Sequence, residues 1–200
     1  MRSKNKTKAV ANYRVVMEAF SSRLAGVVKE TAVTVFVCGP KFSKTPKPGR
    51  QKAGAAIRRF VTQQINNIDF AAVLGEHKRL RKAPPEAVEK FFSDADKELL
   101  FAKSDAELIV IFPASWGSIA ELGIFGMHQE VAQKLIVIFD AALKRSGGFV
   151  IRALLKSIRN RNARAIRFID YRNKQKVWEA VEKELRSYQT TKVQSVYRNG

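Results

Sequence analysis

Apolar residues alternate along this chain between helix-like spacing and short continuous runs. Val10, Tyr13, Met17, Phe20, Leu24 and Val27/Val28 recur every three or four residues and predict an amphipathic helix over 9–30. Val33-Thr34-Val35-Phe36-Val37-Cys38 is a β-branched apolar run ended by Gly39-Pro40, which reads as a strand buried on both faces. Pro46, Pro48 and Gly49 break the chain into a loop over 41–49. Ala53, Ile57, Phe60, Val61 and Ile65 then predict a helix over 50–66, and Phe70–Leu74 a second strand ended by Gly75. Pro84-Pro85 interrupts the next segment, and a helix is expected over 86–103 with Pro85 near its first turn. Leu108–Phe112 is the third strand, Ser115–Ser118 a tight loop and Ile119–Gln133 a helix. Leu135–Phe139 is the fourth strand, 149–160 a helix, Ala165–Ile169 the fifth strand and Lys174–Tyr188 the last helix.

Strands and helices therefore alternate, and the strands are apolar throughout. That pattern predicts a doubly wound α/β fold: a mostly parallel, five-stranded, flavodoxin- or Rossmann-like sheet with helices on both faces. No internal repeat or second domain is visible. The expected organisation is a basic, disordered arm over 1–8, one α/β domain over 9–190 and a frayed tail over 191–200.

At 200 residues and 46% hydrophobic content the chain can build a real core. No apolar run reaches eighteen residues, so no membrane-spanning helix and no membrane partner are expected. The basic N-terminus is followed by Asn12, Arg14 and Glu18 rather than an apolar block, which argues against export and for the cytoplasm. Cys38 is the only cysteine, so neither a disulfide within the chain nor a cysteine metal cluster can form. His77 and His128 match no metal-binding spacing, and no metal is expected. The net charge of +19 suits a polyanionic partner such as nucleic acid, and equally a solvated basic surface; charge alone leaves both open.

In open parallel sheets ligands bind outside the carboxyl ends of the strands. Four segments should meet there: Cys38-Gly39-Pro40, Leu74-Gly75-Glu76, Pro113 to Gly123, and Phe139-Asp140. The third is the most informative. A Gly117-Ser118 turn into a helix offers free N–H groups to an anion or to sugar hydroxyls, with Ser115 beside them. Glu121, expected in the first turn of that helix, can hold ribose hydroxyls or attack an anomeric carbon. The same Ser118-x-x-Glu121 spacing is also a capping box, which would consume the carboxylate structurally. Gly123, costly in a helix, speaks for close packing instead. Glu76 reads either as a second acid in the cleft or as a solvated loop carboxylate. Arg50, after a Pro/Gly loop, reads as a phosphate ligand or a surface arginine. Trp116 and Phe42 could stack on a base. Asp105 belongs to the opposite sheet edge, and Cys38 reads as a small buried hydrophobe.

The chain lacks both the G-x-x-x-x-G-K-[ST] and the G-x-G-x-x-G motifs, so P-loop hydrolysis and ordinary dinucleotide dehydrogenation have no support. Over about residues 33–170 it resembles the nucleoside 2-deoxyribosyltransferase-like superfamily, and more closely the effector proteins that accompany some retrons in antiphage defence. The resemblance rests on Val35 to Pro40, Leu74-Gly75-Glu76, Ser104 to Phe112, and Ser115-Trp116-Gly117-Ser118-Ile119-Ala120-Glu121-Leu122-Gly123. The last segment also resembles the Gly-Gly-x-Gly-Thr-x-x-Glu loop of cytokinin-activating phosphoribohydrolases, without its double glycine.

The resemblance implies cleavage of an N-glycosidic bond, with a helix-borne glutamate matching Glu121 meeting the anomeric carbon. It implies Glu76 as a weaker companion acid, while the strand-end and loop positions themselves place Gly39, Pro40, Arg50, Ser115, Gly117 and Ser118 around the substrate. For retron effectors of this kind it implies NAD as substrate rather than cofactor, cut at the nicotinamide–ribose bond. It also implies docking on a reverse transcriptase and its DNA–RNA product, and homo-oligomerisation with a site residue from a neighbouring subunit. Two other readings stand beside the glycosidase: a nucleotide sensor without turnover, and a basic nucleic-acid-binding protein.

Overall fold

The computed structural model describes residues 33–42, 52–68, 70–76, 93–146 and 148–199. The predicted arm over 1–8, the helix over 9–30, Arg50, His77 and Pro84-Pro85 lie outside the described residues. By its internal contacts the chain divides into a unit Val33–Ser187 and a second unit made of Met1–Ala32 and Tyr188–Gly200. The sheet and the side chains described against it belong to Val33–Ser187.

The elements run β1 (Thr34–Cys38), α1 (Ala53–Asn66), β2 (Ala71–Leu74), α2 (Asp94–Ser104), β3 (Leu108–Ile111), α3 (Trp116–Met127) and α4 (Gln129–Ala132). They continue with β4 (Leu135–Asp140), α5 (Leu143–Ser146), α6 (Phe149–Asn160), β5 (Ala165–Ile169) and α7 (Lys174–Asn199). The five strands form one parallel sheet in the order β2-β1-β3-β4-β5. This is the doubly wound flavodoxin-like order, as the apolar strands and intervening helices predicted. The sheet's own burial follows that order: β3 is wholly buried, β1 and β4 nearly so, and the edge strands β2 and β5 are partly open.

Successive strand residues face opposite sides. Phe36, Cys38, Ile109, Ile111, Val137 and Phe139 pack in one cluster with Ala102 of α2, Leu122 and Phe125 of α3, and Ile151 and Ile158 of α6. Val35, Val37, Val110, Ile136 and Ile138 are equally buried and point the other way by strand alternation, and Ile57, Val61 and Ile65 of α1 and Val177, Val181 and Leu185 of α7 are buried as well. On that side Tyr171 donates from its hydroxyl to the Ile138 carbonyl at 2.6 Å and meets the Phe112 ring edge-on.

The structure starts α1 at Ala53 rather than at 50 and α2 at Asp94, behind the Ser93 cap, rather than at 86, and it departs from the pattern-based boundaries at three further places. The helix after β3 starts at Trp116 rather than Ile119, because Ser115 caps it. It breaks at His128, whose extended backbone separates α3 from α4. The last helix continues through 191–199, where fraying was expected, since no glycine or proline interrupts the chain between Tyr171 and Gly200. Among the described residues no helix is long and apolar enough to cross a membrane.

Candidate functional site

The order β2-β1-β3-β4-β5 places a topological switch between β1 and β3. From there the chain leaves toward α1 on one face and α3 on the other, opening a crevice at the strand ends. A cleft of about 250 Å³ occupies that position.

Its floor is the end of β1. Cys38 is buried, and burial together with the Glu121 and Glu98 carboxylates pushes its thiol well up, so it serves as packing rather than as a nucleophile. Gly39 follows with φ +145, and a Cβ there would lie 3.1 Å from Phe112 Cβ and 3.2 Å from Arg58 Cδ. Only glycine gives both that backbone and that close approach. Pro40 is not part of the cleft wall. Its ring packs toward Gly54 of α1, and its carbonyl accepts from Arg58 Nη1 at 3.4 Å.

Arg58, on α1, is the least expected participant. It is 2% exposed and fully committed. Its Nε and Nη2 donate to the Val37 carbonyl at 3.2 and 2.9 Å. Its Nη1 and Nη2 hold both carboxylate oxygens of Glu76 at 2.8 and 2.9 Å. The Phe42 ring sits 5.4 Å from the guanidinium carbon. Burial alone would raise the Glu76 carboxyl, but the fork of hydrogen bonds from Arg58 outweighs it and holds the group below the ordinary glutamate value. Glu76 is thus a fixed anion that lines the cleft.

The opposite wall comes from the loop after β3. Ser115 is the N-cap of α3: its Oγ accepts from the Ser118 N–H at 3.2 Å. The Ser118 Oγ in turn accepts from the Ser115 and Ala114 N–H groups at 3.0 and 3.1 Å. This reciprocal Ser115–Ser118 box replaces the Ser118–Glu121 box that the spacing allowed. Glu121 therefore lies in the second turn of α3, released from capping, and lines the cleft. Its Oε2 is buried and has no hydrogen-bond partner. Burial is the main cause that raises its carboxyl above the ordinary value; Arg58 opposes the rise and Glu76 adds to it. At the first turn, Gly117 has open space where a side chain would stand, and Trp116 is 84% exposed.

Glu98, on α2, closes the third side. One of its oxygens rests on Gly75, so closely that any side chain at 75 would collide with it. Desolvation, then repulsion from Glu121 and Glu76, pushes its carboxyl up to about 7. Lys41, Asp94 and Lys97 complete the lining. Three partly buried glutamates, with Asp94 exposed beside them, thus share a crevice whose only buried guanidinium among the described residues is already spent on one of them. Among the described residues no group of three His, Cys, Asp or Glu side chains is placed to hold a metal ion.

Of the residues singled out in the sequence, Gly39, Glu76, Ser115, Gly117, Ser118 and Glu121 line this cleft. Arg50 lies outside the described residues. Phe139-Asp140 does not line it: the Asp140 carboxylate accepts from the Ala142 N–H at 2.9 Å and shapes the turn into α5. Arg58 and Glu98 were not anticipated.

The family model described as STM3845 retron effector protein matches residues 71–199. The chain belongs to this family. No curated protein matches it. As a retron effector it works in association with the other components of a retron. The match spans β2 to α7, so Glu76, Glu98, the Ser115–Ser118 loop and Glu121 fall inside it, while Gly39 and Arg58 precede it.

Proposed function

We propose that this retron effector is an N-glycosidase that cleaves the base–ribose bond of NAD or a related nucleotide, as a toxic effector of antiphage defence. The observation that carries the reading is the Glu121 carboxylate, buried at the switch-point cleft, freed from helix capping and with one oxygen unpartnered. Leaving a buried carboxylate oxygen without a partner is costly and raises the group's proton affinity. Such a cost is tolerable where positive charge develops against the group, as it does at the anomeric carbon of an oxocarbenium-like transition state.

The charge layout of the cleft fits a ligand with a cationic base and anionic phosphates. Glu76, Glu98 and Glu121 stand against one arginine inside, which favours a pyridinium ring. Lys41 and Lys97 also line the cleft and suit a diphosphate. The N–H groups of Trp116 and Gly117, in the first turn of α3, have no partner among the described residues and suit phosphate or ribose oxygens. In the reaction the C1′–N bond breaks, the electron pair goes to the ring nitrogen, and neutral nicotinamide departs without needing a proton. Glu121 meets the anomeric carbon, either stabilising its charge or bonding to it.

Partnership with a reverse transcriptase and its DNA–RNA product is part of the same proposal, and the net charge of +19 supports it. So is a homo-oligomeric assembly in which a neighbouring subunit completes the site. Incubating the effector with NAD, nucleosides and deoxynucleosides, with and without the retron components, tests the activity by chromatography of released base. Base release that Glu121→Gln removes is the expected result. No release from any substrate overturns the reading and leaves nucleotide sensing without turnover.

A further inference from the structure

The glycosidase reading leaves the second half of the reaction without a residue: something must take a proton from the water that enters at C1′. We propose that Glu98 is that proton acceptor, a second catalytic carboxylate brought by α2 to the cleft that Glu121 also lines. The inference rests on the proposed function and adds a residue that neither the Gly-Ser-x-x-Glu segment nor the strand-end pattern points to.

Three structural observations carry it. First, Glu98 and Glu121 come from different helices, α2 and α3, yet line the same cleft. Second, the absence of a side chain at Gly75 makes room for the Glu98 carboxylate, whose oxygen occupies the space where a Cβ at 75 would stand. Third, the nearest strong cation cannot quench it, because Arg58 gives its fork to Glu76 and its remaining reach to the Val37 and Pro40 carbonyls. Among the described residues Glu98 has no ion-pair or hydrogen-bond partner. The groups around it are Glu121 from α3, Glu76 after β2, Arg58 from α1, Cys38 and Lys41 at and after the end of β1, and Asp94 and Lys97 on its own helix. Burial first, then repulsion from Glu121 and Glu76, outweighs the attraction of Arg58 and pushes the Glu98 carboxyl up to about 7.

The step balances as follows. Once the base has left, the water oxygen bonds to C1′ while one of its protons passes to Glu98. If Glu121 is bonded to C1′, that bond breaks and its electron pair returns to the Glu121 carboxylate. Glu98 then releases the proton to solvent, so one proton appears per base cleaved. A base must be ionised to act, and Glu98 acts after the leaving group has gone, so kcat should fall as pH drops below about 7.

The test compares wild type, Glu98→Gln and Glu98→Ala on the substrate that wild type cleaves, reading released base over time with and without azide. Azide is a nucleophile with no proton to lose. In both variants the expected result is turnover slowed on the order of 10²- to 10⁴-fold, with a burst of about one base per protein if Glu121 bonds to C1′. The acid limb near pH 7 should vanish and azide should restore turnover. Steady turnover within threefold of wild type, or an acid limb retained in Glu98→Gln, overturns the role of Glu98 alone. No base release by wild type overturns the glycosidase reading and this inference together.

Discussion

The position of Glu98 has a consequence for stability that can be measured without any substrate. Its carboxyl is raised from the ordinary 4.5 to about 7 in the folded protein. At about 1.4 kcal/mol per tenfold change in proton affinity, ionising it costs the fold at most about 3.4 kcal/mol. The group is only part-buried, and screening by water brings the expected cost to about 2 kcal/mol. The sign follows from the direction of the shift. The folded state holds the proton more tightly, so the stabilisation is complete below pH 4.5 and is lost as pH rises through about 7. Glu98→Gln mimics the protonated form at every pH. Urea unfolding should therefore find the variant about 2 kcal/mol more stable than wild type at pH 8, and no different at pH 4.5. For a chain of this length the gain at pH 8 corresponds to a melting temperature higher by roughly 4–8 °C. A difference that is the same at both pH values, or a variant less stable at pH 8, would refute the argument that Glu98 is an uncompensated buried acid.

Two further outcomes follow from buried polar contacts. Arg58→Met should destabilise the protein by about 3–5 kcal/mol, because it strands Glu76 and the Val37 carbonyl. Adding Glu76→Gln should recover part of that loss, and a single-variant loss below about 1 kcal/mol in thermal melting would contradict the structural role. Lys134 places its ammonium on the Ala102, Lys103 and Ala106 carbonyls at 2.9, 2.8 and 2.8 Å, closing the C-terminal end of α2. Lys134→Met should cost about 1–3 kcal/mol, with faster amide exchange at the end of α2. Unchanged exchange there would show that the cap is dispensable.

The sheet was readable because its strands are buried on both faces, so each appears as a compact apolar run such as Leu135–Phe139 between helical spacings. The site was readable only where a turn signal marked it. Gly117-Ser118 flagged the loop and carried Glu121 with it, although the spacing could not show that Ser115, three residues upstream, takes the capping role. Arg58 left a fainter signal. Gly54, Arg58 and Thr62 form a row at four-residue spacing beside the apolar row of Ile57, Val61 and Ile65, and all six are buried. A charged residue in such a row signals a buried partner, but that partner, Glu76, is eighteen residues away and joins only through strand pairing. Glu98 lies in a row with Asp94 and the buried Ala102, which resembles an ordinary half-exposed helix face. Its environment depends on β2, α1 and α3 arriving beside it, and no local pattern encodes that.

The central claim is that Glu121 serves chemistry at an anomeric carbon rather than the architecture of α3. The most direct test follows base release from NAD by wild type and Glu121→Gln, with both variants matched by thermal melting. The account predicts that wild type releases nicotinamide. It predicts that Glu121→Gln, which keeps the Ser115–Ser118 cap and removes a buried unpartnered charge, folds at least as stably yet loses release by 10³-fold or more, on the order expected for a reacting carboxylate. Base release that survives in Glu121→Gln within tenfold of wild type would contradict it.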